Sequence, residues 1–360
     1  MTGVTITGLV KRFGSDVYAI NNIDIEIAEH ELLVLLGPSG CGKSTILRSI
    51  AGLEQPTKGR IAFGDTVVFD DAARIDIEPM NRGLGMVFQN YALWPHMTVA
   101  DNIGFPLAAM HVRRAERSER IAEMARLVEC EQLLHRYPGE LSGGQQQRIA
   151  LARSLVARPA VLLFDEPLSN LDARLRADMR SMIRELHRTL GFTGVYVTHD
   201  QEEGLTIGDR VAIMHSGQVV QLGPPREVFA HPATEWAADF MGMTNRVHVN
   251  KAQDANPTPW RRQADTTATA PDSVVRVRPD DVTIADFVAP DDDWGLIIEQ
   301  AEIKDRTFGG NATDFVFDLD GRRFLVRLAS DTISPRAAEP GDRVTLVARH
   351  DKIRSFALSE

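Results

Sequence analysis

Leu32-Leu33-Val34-Leu35-Leu36-Gly37-Pro38-Ser39-Gly40-Cys41-Gly42-Lys43-Ser44-Thr45 decides the fold of this 360-residue chain. Five consecutive apolar residues read as a strand buried on both faces. The glycine-rich turn after them leads into a helical stretch, Ser44–Ala51. Gly37 to Ser44 matches G-x-x-x-x-G-K-[ST], the pattern of a phosphate-binding loop. A polyphosphate needs donors on several sides at close range. Glycines let backbone N–H groups curl round it, and the helix N-terminus adds its dipole. Lys43 can reach the β- and γ-phosphates, and the Ser44 hydroxyl can ligate Mg2+. Chance produces the pattern in roughly one chain of this length in a hundred, and the strand–turn–helix setting makes chance rarer. Nucleotide binding follows from this stretch.

Moving outward, Val161–Phe164 and Gly194–Val197 are further continuous apolar runs, and Ile20–Ile27 alternates as a half-buried strand does. Helical stretches lie between them: Arg113–Cys130, Gly144–Ala157 and Arg174–Leu190. Buried strands alternating with helices predict a parallel α/β sheet with helices on both faces. The run Val161–Phe164 ends in Asp165-Glu166. Ligands of open α/β sheets sit beyond the C-terminal strand ends, which puts this pair beside the phosphate loop. Asp165 is then a Mg2+ partner, and Glu166 is placed to polarise an attacking water as general base. The plainer alternative is a solvated turn after a core strand.

Composition narrows the class. Lys and Arg total 40 against 50 Asp and Glu, a net charge of −10, with 43% hydrophobic and 25% charged residues. That apolar content supports full cores and excludes a disordered chain. No apolar run exceeds the five residues of Leu32–Leu36, far short of the roughly 20 needed to span a bilayer. Gly14, Ser15 and Asp16 follow Lys11-Arg12 at once, unlike a secretory leader. Cys41 and Cys130 cannot make a disulfide framework, and no Cys/His cluster has zinc spacing. The acidic balance speaks against nucleic acid as partner. A cytosolic, multi-domain protein is expected.

Near residue 250 the composition shifts. Lys251–Asp272 carries Asn256-Pro257-Thr258-Pro259 and little apolar content, which is linker chemistry. Short strands are expected beyond it, at Val274–Val277, Leu296–Ile303, Asp314–Leu319, Arg323–Leu328 and Val344–Ala348, with turns at Asp320-Gly321 and Pro340-Gly341. With little helical periodicity, the tail reads as a small all-β barrel or sandwich.

Glu140-Leu141-Ser142-Gly143-Gly144-Gln145-Gln146-Gln147-Arg148 supplies a second helix start, with Ser142 as N-cap candidate and glycines that leave backbone N–H groups open. With the phosphate loop and the Asp-Glu strand, this stretch resembles the ATP-binding cassette (ABC) family over roughly residues 4–244, the LSGGQ run being its signature. The resemblance implies a P-loop NTPase cassette with a RecA-like core, over residues 1–244, and a helical subdomain at about 90–158. It implies a head-to-tail homodimer with two ATP molecules sandwiched between copies. Ser142, Gly143, Gly144 and Gln145 of one copy would face ATP held by Gly37, Pro38, Ser39, Gly40, Cys41, Gly42, Lys43, Ser44 and Thr45 of the other. Tyr18 matches the aromatic that stacks on adenine; a core tyrosine is the alternative. Gln89 matches the glutamine that senses Mg2+ and water, Ser169-Asn170-Leu171-Asp172 the loop crossing the dimer interface, and His199 the histidine at the γ-phosphate. Catalysis would then rest on Glu166, His199, Gln89 and Lys43, and the metal on Ser44, Gln89 and Asp165.

Between Asn90 and Pro138, Arg113, Arg114, Arg117 and Arg120 interleave with Glu116, Glu119 and Glu123, as on a solvated helix face. In the family this subdomain docks membrane permease subunits, for which Tyr91, Leu93, Trp94 and Pro95 are candidates. Arg278-Pro279-Asp280-Asp281-Val282 makes residues 245–360 resemble the OB-like TOBE domain of importer ATPases for maltose, polyamines, sulfate or ferric iron. Regulation or dimer support would be its role. The expected protein is an ATP-hydrolysing importer motor on the cytoplasmic face of the inner membrane, served by an extracytoplasmic binding protein. Tyr91–His96 and Ala238–Gly242 favour ferric iron slightly as cargo, with polyamine, phosphonate, sulfate or sugar as alternatives. A soluble ABC ATPase acting on nucleic acid is the second reading. The interval of about 95 residues between Thr45 and Leu141 leaves no room for the long coiled coil of DNA-repair relatives, and the chain has one cassette where translation-associated relatives have two.

Overall fold

Every residue of Leu32–Leu36 is buried, and the sheet built around that strand places the phosphate loop. The computed structural model describes residues 2–14, 16–250, 260–261, 272–285, 293–319, 321–330 and 338–357. They fall into two compact units, Met1–Ala230 and His231–Glu360. The first unit starts with strands β1 (Val4–Phe13), β2 (Val17–Ile27) and β3 (Leu32–Leu36), helix α1 (Lys43–Ala51), and strands β4 (Lys58–Phe63), β5 (Thr66–Asp70), β6 (Ile75–Asp76) and β7 (Leu84–Val87). Helices α2 (Val99–Ala109), α3 (Arg114–Leu127) and α4 (Gly143–Leu155) come next. The unit ends with β8 (Val161–Asp165), α5 (Ala173–Leu190), β9 (Thr193–Thr198), α6 (Gln201–Ile207), β10 (Arg210–His215), β11 (Gln218–Gly223) and α7 (Pro225–Ala230).

The central sheet runs β11-β10-β3-β9-β8-β7, with every pairing parallel except that of β11 with β10. Its C-terminal strand ends therefore share one edge, where the Gly37, Glu166 and His199 turns begin. A separate antiparallel sheet, β2-β1-β4-β5-β6, covers part of the structure that the sequence pattern assigned to a single parallel sheet. The alternation of Ile20, Ile23, Ile25 and Ile27 marks a half-buried strand correctly, but it does not name that strand's neighbours. Those isoleucines share one core with Leu33 and Leu35 of β3, Leu163 of β8, Val195 of β9 and Ile46, Leu47 and Ile50 of α1. On the other face of β3, Gly204 of α6 packs on Val34 and Leu36. Each buried aliphatic side chain contributes about 1.5–3 kcal/mol relative to exposure, so α1 is firmly seated.

The C-terminal end of α1 is closed twice. Gly52 turns left-handed (φ +77°), its N–H bonding the carbonyls of Arg48 and Ser49. The buried Arg82 guanidinium donates to the carbonyls of Ser49 and Ile50, both at 2.9 Å. On α3, Glu116 pairs with Arg120 at 2.5 Å in the i,i+4 arrangement that a solvated helix favours.

The second unit opens with helix α8 (Glu235–Phe240), which the sequence reading put ahead of the boundary at 244. Arg276 holds it through Glu235 (2.9 Å) and Asp239 (2.7 Å). Apart from short 3-10 turns, the remaining regular structure among the described residues of the unit is β, with strands β12 (Asn245–Asn250), β13 (Trp260–Arg261), β14 (Asp272–Val277), β15 (Val282–Ile284), β16 (Trp294–Phe308), β17 (Ala312–Leu319), β18 (Arg322–Ala329), β19 (Arg343–Arg349) and β20 (Arg354–Ala357). β12-β14-β20 form one antiparallel sheet; β15-β19-β16-β17-β18 form another, with β13 beside β16. Val247 and Val275 from the first share a core with Ile298, Phe315, Phe317 and Phe324 from the second. Of the expected linker Lys251–Asp272, the described residues are Trp260, Arg261 and Asp272, all in strands; the remainder, and the turn residue Asp320, lie outside the described residues.

Candidate functional site

The phosphate loop joins β3 to α1 and takes backbone conformations that an L side chain resists. Gly42 has φ +106° and Gly40 φ +80°. A Cβ on Gly42 would stand 2.1 Å from the Ala19 carbonyl oxygen, and one on Gly37 2.3 Å from that of Met214. The loop is thus wedged between β2 and β10, with Tyr18 one residue from the contact. Tyr18 is 49% exposed, which excludes the core alternative and leaves its ring open to a planar ligand. Lys43 Nζ, almost wholly buried, donates to the carbonyls of Gly37 (2.7 Å) and Pro38 (2.8 Å). Burial pushes the Cys41 thiol up, against the opposing pull of Lys43, so it stays neutral inside the loop.

Across the sheet, Ser44 Oγ donates to Asp165 Oδ1 at 2.9 Å, and Arg48 reaches the other carboxylate oxygen at 3.4 Å. The loop and the acidic strand therefore converge as the sequence pattern requires. Glu166, next in the chain, takes a left-handed conformation (φ +44°), a strain of about 1–3 kcal/mol. The bend is fixed from both sides. Its N–H bonds the Val197 carbonyl (3.1 Å), and its carbonyl accepts from the Ser169 hydroxyl (3.0 Å). His199, at the end of β9, brings Nδ1 to 3.2 Å from Glu166 Oε2 and keeps half its side chain exposed.

Ser142 caps α4 through a capping box. Its Oγ accepts from Gln145 N–H at 3.4 Å, and Gln145 Oε1 accepts from Ser142 N–H at 3.0 Å. Gly144 is buried, and a Cβ there would stand 3.3 Å from Leu175 of α5. Among the described residues, no hydrogen bond links Ser142, Gly143, Gly144 or Gln145 to the phosphate loop of the same chain. The Gln89 side chain is exposed; the residue's backbone carbonyl accepts from Asn170 Nδ2 at 3.0 Å, joining it to the loop after Glu166.

The sequence reading passed over Arg153 of α4. It donates to the carbonyls of Tyr91 (2.8 Å) and Ala92 (2.6 Å), consecutive left-handed residues two and three positions beyond Gln89. Its guanidinium lies 5.0 Å from the centre of the Trp94 ring, which packs against Phe105. Burial lowers its pKa to about 10. A charged residue within the apolar run Ile149–Leu155 was the available signal. Phe88, Ala92, Trp94, Phe105 and Arg153 line an open groove of about 320 Å³. Of the aromatic residues singled out near Gln89, Trp94 lines this groove, whereas the Tyr91 hydroxyl faces Gly143.

Comparison with known proteins agrees with this geometry. The ABC transporter family model matches residues 20–169 and the TOBE domain model residues 275–356. The chain is 51% identical over 242 residues to the trehalose/maltose import ATP-binding protein MalK of Thermococcus litoralis, covering 67% of this chain and 65% of that one. It is 44% identical over 288 residues to an sn-glycerol-3-phosphate import ATP-binding protein of Agrobacterium fabrum, covering 79% and 80%. A dimeric ATP-binding cassette bound to ADP and Pi in a post-hydrolysis state matches with TM-score 0.53 and 32% identity over 62% of this chain and 99% of that one. CbiO1 of Clostridium perfringens, part of an ABC transporter complex, matches with TM-score 0.58 and 28% identity over 63% and 90%.

These relatives correct one expectation: they are named for sugar and glycerol-phosphate import, and the preference for ferric iron is withdrawn. Trp94 stacks with Phe105 and Arg153, and Ala238 is buried within the second unit. By identity extending over four fifths of a curated relative, the chain belongs to the ABC transporter family, its cassette followed by a TOBE domain.

Proposed function

We propose that this chain is the ATP-hydrolysing motor subunit of an importer, working as a homodimer on separate membrane permeases. The observation that carries the reading is the convergence, at one sheet edge, of the Ser44–Asp165 and Glu166–His199 pairs. Lys43 exchanges its two loop carbonyls for β- and γ-phosphate oxygens when nucleotide enters. Hard oxygen donors on Ser44 and Asp165, 2.9 Å apart, suit Mg2+, which takes one or two carboxylates together with substrate phosphates. The exposed Gln89 amide would complete that set, and the ion would supply charge neutralisation at the phosphates. Glu166 accepts a proton from the attacking water, and His199 orients that water and the γ-phosphate.

Because Ser142–Gly144 make no bond to their own phosphate loop, they are free to face a second copy's ATP. The dimeric cassette neighbour supports this arrangement. The groove beside Gln89 suits a segment of a permease, and Arg153 connects that groove to the signature helix. Among the described residues no helix is long and apolar enough to cross a membrane, so the translocation path belongs to those permeases. The cargo class is a sugar or a glycerol phosphate, by the relatives' names, delivered by an extracytoplasmic binding protein. The chain works at the cytoplasmic membrane face.

Glu166→Gln tests the reading. The variant binds ATP, loses turnover by at least about 100-fold, and elutes as a dimer with ATP on size-exclusion chromatography. Wild-type turnover in the variant, or a monomer at saturating ATP, refutes it.

A further inference from the structure

Behind the Glu166–His199 pair lies a polar network that the hydrolytic roles leave unused. Glu203, on the first turn of α6, is buried and accepts from the hydroxyls of Tyr196 (3.0 Å) and Thr198 (2.8 Å). Thr198 Oγ1 in turn accepts from the Asp200 N–H at 3.0 Å, so both residues flanking His199 are held. Asp200 also caps α6, accepting from Glu203 N–H at 3.1 Å. Arg176, on the first turn of α5, reaches into this cluster. It donates to Asp200 Oδ2 at 3.2 Å and to the Leu171 carbonyl at 3.0 Å, and its Nε stands 3.8 Å from Glu203. That Nε is a buried donor with no hydrogen-bond partner. A polar cavity of about 40 Å³ brings Arg176, Asp200 and Glu203 together with Glu166, Ser169 and His199.

Leu171 belongs to the loop that Ser169 anchors to the Glu166 carbonyl and Asn170 anchors to the Gln89 carbonyl. Arg176 is therefore the one side chain among these that bonds both the loop and the turn bearing His199. We propose that Arg176 is a positioning residue: by bridging Leu171 and Asp200 it sets the approach of His199 to Glu166, with Glu203 as the buried anchor of the turn. Its planar fork matters, because two acceptors on different elements must be met at fixed angles; lysine would carry the charge without that geometry. Desolvation raises the Glu203 carboxyl's pKa, against the stabilising hydroxyls of Thr198 and Tyr196. The inference rests on the hydrolytic reading above.

The test is steady-state ATP hydrolysis by full-length Arg176→Met, Arg176→Lys, Asp200→Asn, His199→Ala and the Arg176→Met/His199→Ala double variant. Glu166→Gln serves as the reference. Arg176→Met is expected to lower kcat about 10- to 100-fold, the scale of a misplaced catalytic group, with KM for ATP and fluorescent-nucleotide affinity within twofold of wild type. Arg176→Lys falls between, and adding Arg176→Met to His199→Ala costs no further kcat. An unchanged kcat in Arg176→Met, an equal loss in kcat and nucleotide affinity, or a full further loss in the double variant overturns the proposal. If Arg176→Met fails to fold, the kcat-against-KM split of Arg176→Lys and Asp200→Asn decides in the same way. A wild-type chain without ATPase activity defeats the hydrolytic reading itself, whereas loss in Glu166→Gln with none in the Arg176 variants defeats this inference alone.

Discussion

Two glycines of the phosphate loop separate strain from steric exclusion. Gly40 (φ +80°) has open space where a Cβ would go, whereas a Cβ on Gly42 (φ +106°) would meet the Ala19 carbonyl oxygen at 2.1 Å. Alanine at either position carries about 1–2 kcal/mol of left-handed strain. At Gly42 the obstructing atom is backbone of β2, and no side chain can swing aside. Ordinary contact lies beyond 3.4 Å, so the loop and β2 must part by about 1.3 Å. That shift moves Lys43 and Ser44 at the helix start and the exposed Tyr18 beside Ala19 at once, and a displacement of this size costs about 100-fold in rate. Gly42→Ala should thus lower ATP turnover about 100-fold and weaken binding of a fluorescent ATP analogue. Gly40→Ala should stay within about tenfold of wild type in turnover, its effect limited to stability. Both variants are assayed by phosphate release and analogue titration, with urea unfolding as the stability control. Equal turnover and equal affinity in the two would refute the argument that the Ala19 contact, rather than backbone strain, makes glycine obligatory at position 42.

Two further outcomes follow from buried charge. Arg82→Met removes donors to the carbonyls of Ile77, Ser49 and Ile50 and to the half-exposed Asp76; it should destabilise the first unit by about 3–5 kcal/mol. Urea unfolding followed by circular dichroism reads this, and a loss under about 1 kcal/mol would contradict the assignment of Arg82 as the closure of α1. His187, buried beside Phe192, has its pKa lowered from 6.5 by desolvation, with Arg184 adding to the effect and Asp209 opposing it. A depressed folded value means the unfolded chain takes up the proton first. This contribution to stability is complete above pH 6.5 and is lost as pH falls from there through the folded value. His187→Gln should therefore lose less stability than wild type between pH 7.5 and 5.5, and parallel pH profiles would exclude the effect.

Legibility in the sequence followed burial. Leu32–Leu36 and Val161–Asp165 are buried at every position, and a continuous apolar run can be nothing but an interior element. The antiparallel sheet was not legible for the opposite reason. β1 pairs with β2 next to it and also with β4, Val4 facing Phe63, and alternation along a strand carries no information about a neighbour so distant in the chain. In the second unit, Leu296–Ile303 was read as a strand, while β16 continues from Trp294 to Phe308 through charged residues. Cross-strand pairing, including Thr307 with Asp314, sustains it where apolar content does not. The site divides likewise. Residues in fixed spacing on one segment could be singled out from the sequence; Arg153 and Arg176 could not, because their acceptors, Tyr91, Ala92, Leu171 and Asp200, are backbone carbonyls or residues on other elements.

The signature stretch shows why local structure and ligand chemistry should not be weighed as rivals. Ser142 and Gln145 cap each other's backbone N–H groups, which alone explains a serine and a glutamine three residues apart before a helix. Gly144 is explained by the close approach of Leu175, and Gly143 by the Tyr91 hydroxyl, 3.3 Å from where its Cβ would stand. Each residue thus has a structural reason to be there. Yet the same arrangement ends in a helix N-terminus with an exposed serine, no bond to its own phosphate loop, and a dipole directed at solvent. A capping box fixes that end rigidly, and rigidity is what an anion site needs if a second molecule is to complete it. Arg153, eleven residues further along the same helix, grips the carbonyls beside Gln89. In the proposed dimer, a force that seats the helix end on a partner's triphosphate is carried to the groove by one continuous, hydrogen-bonded element.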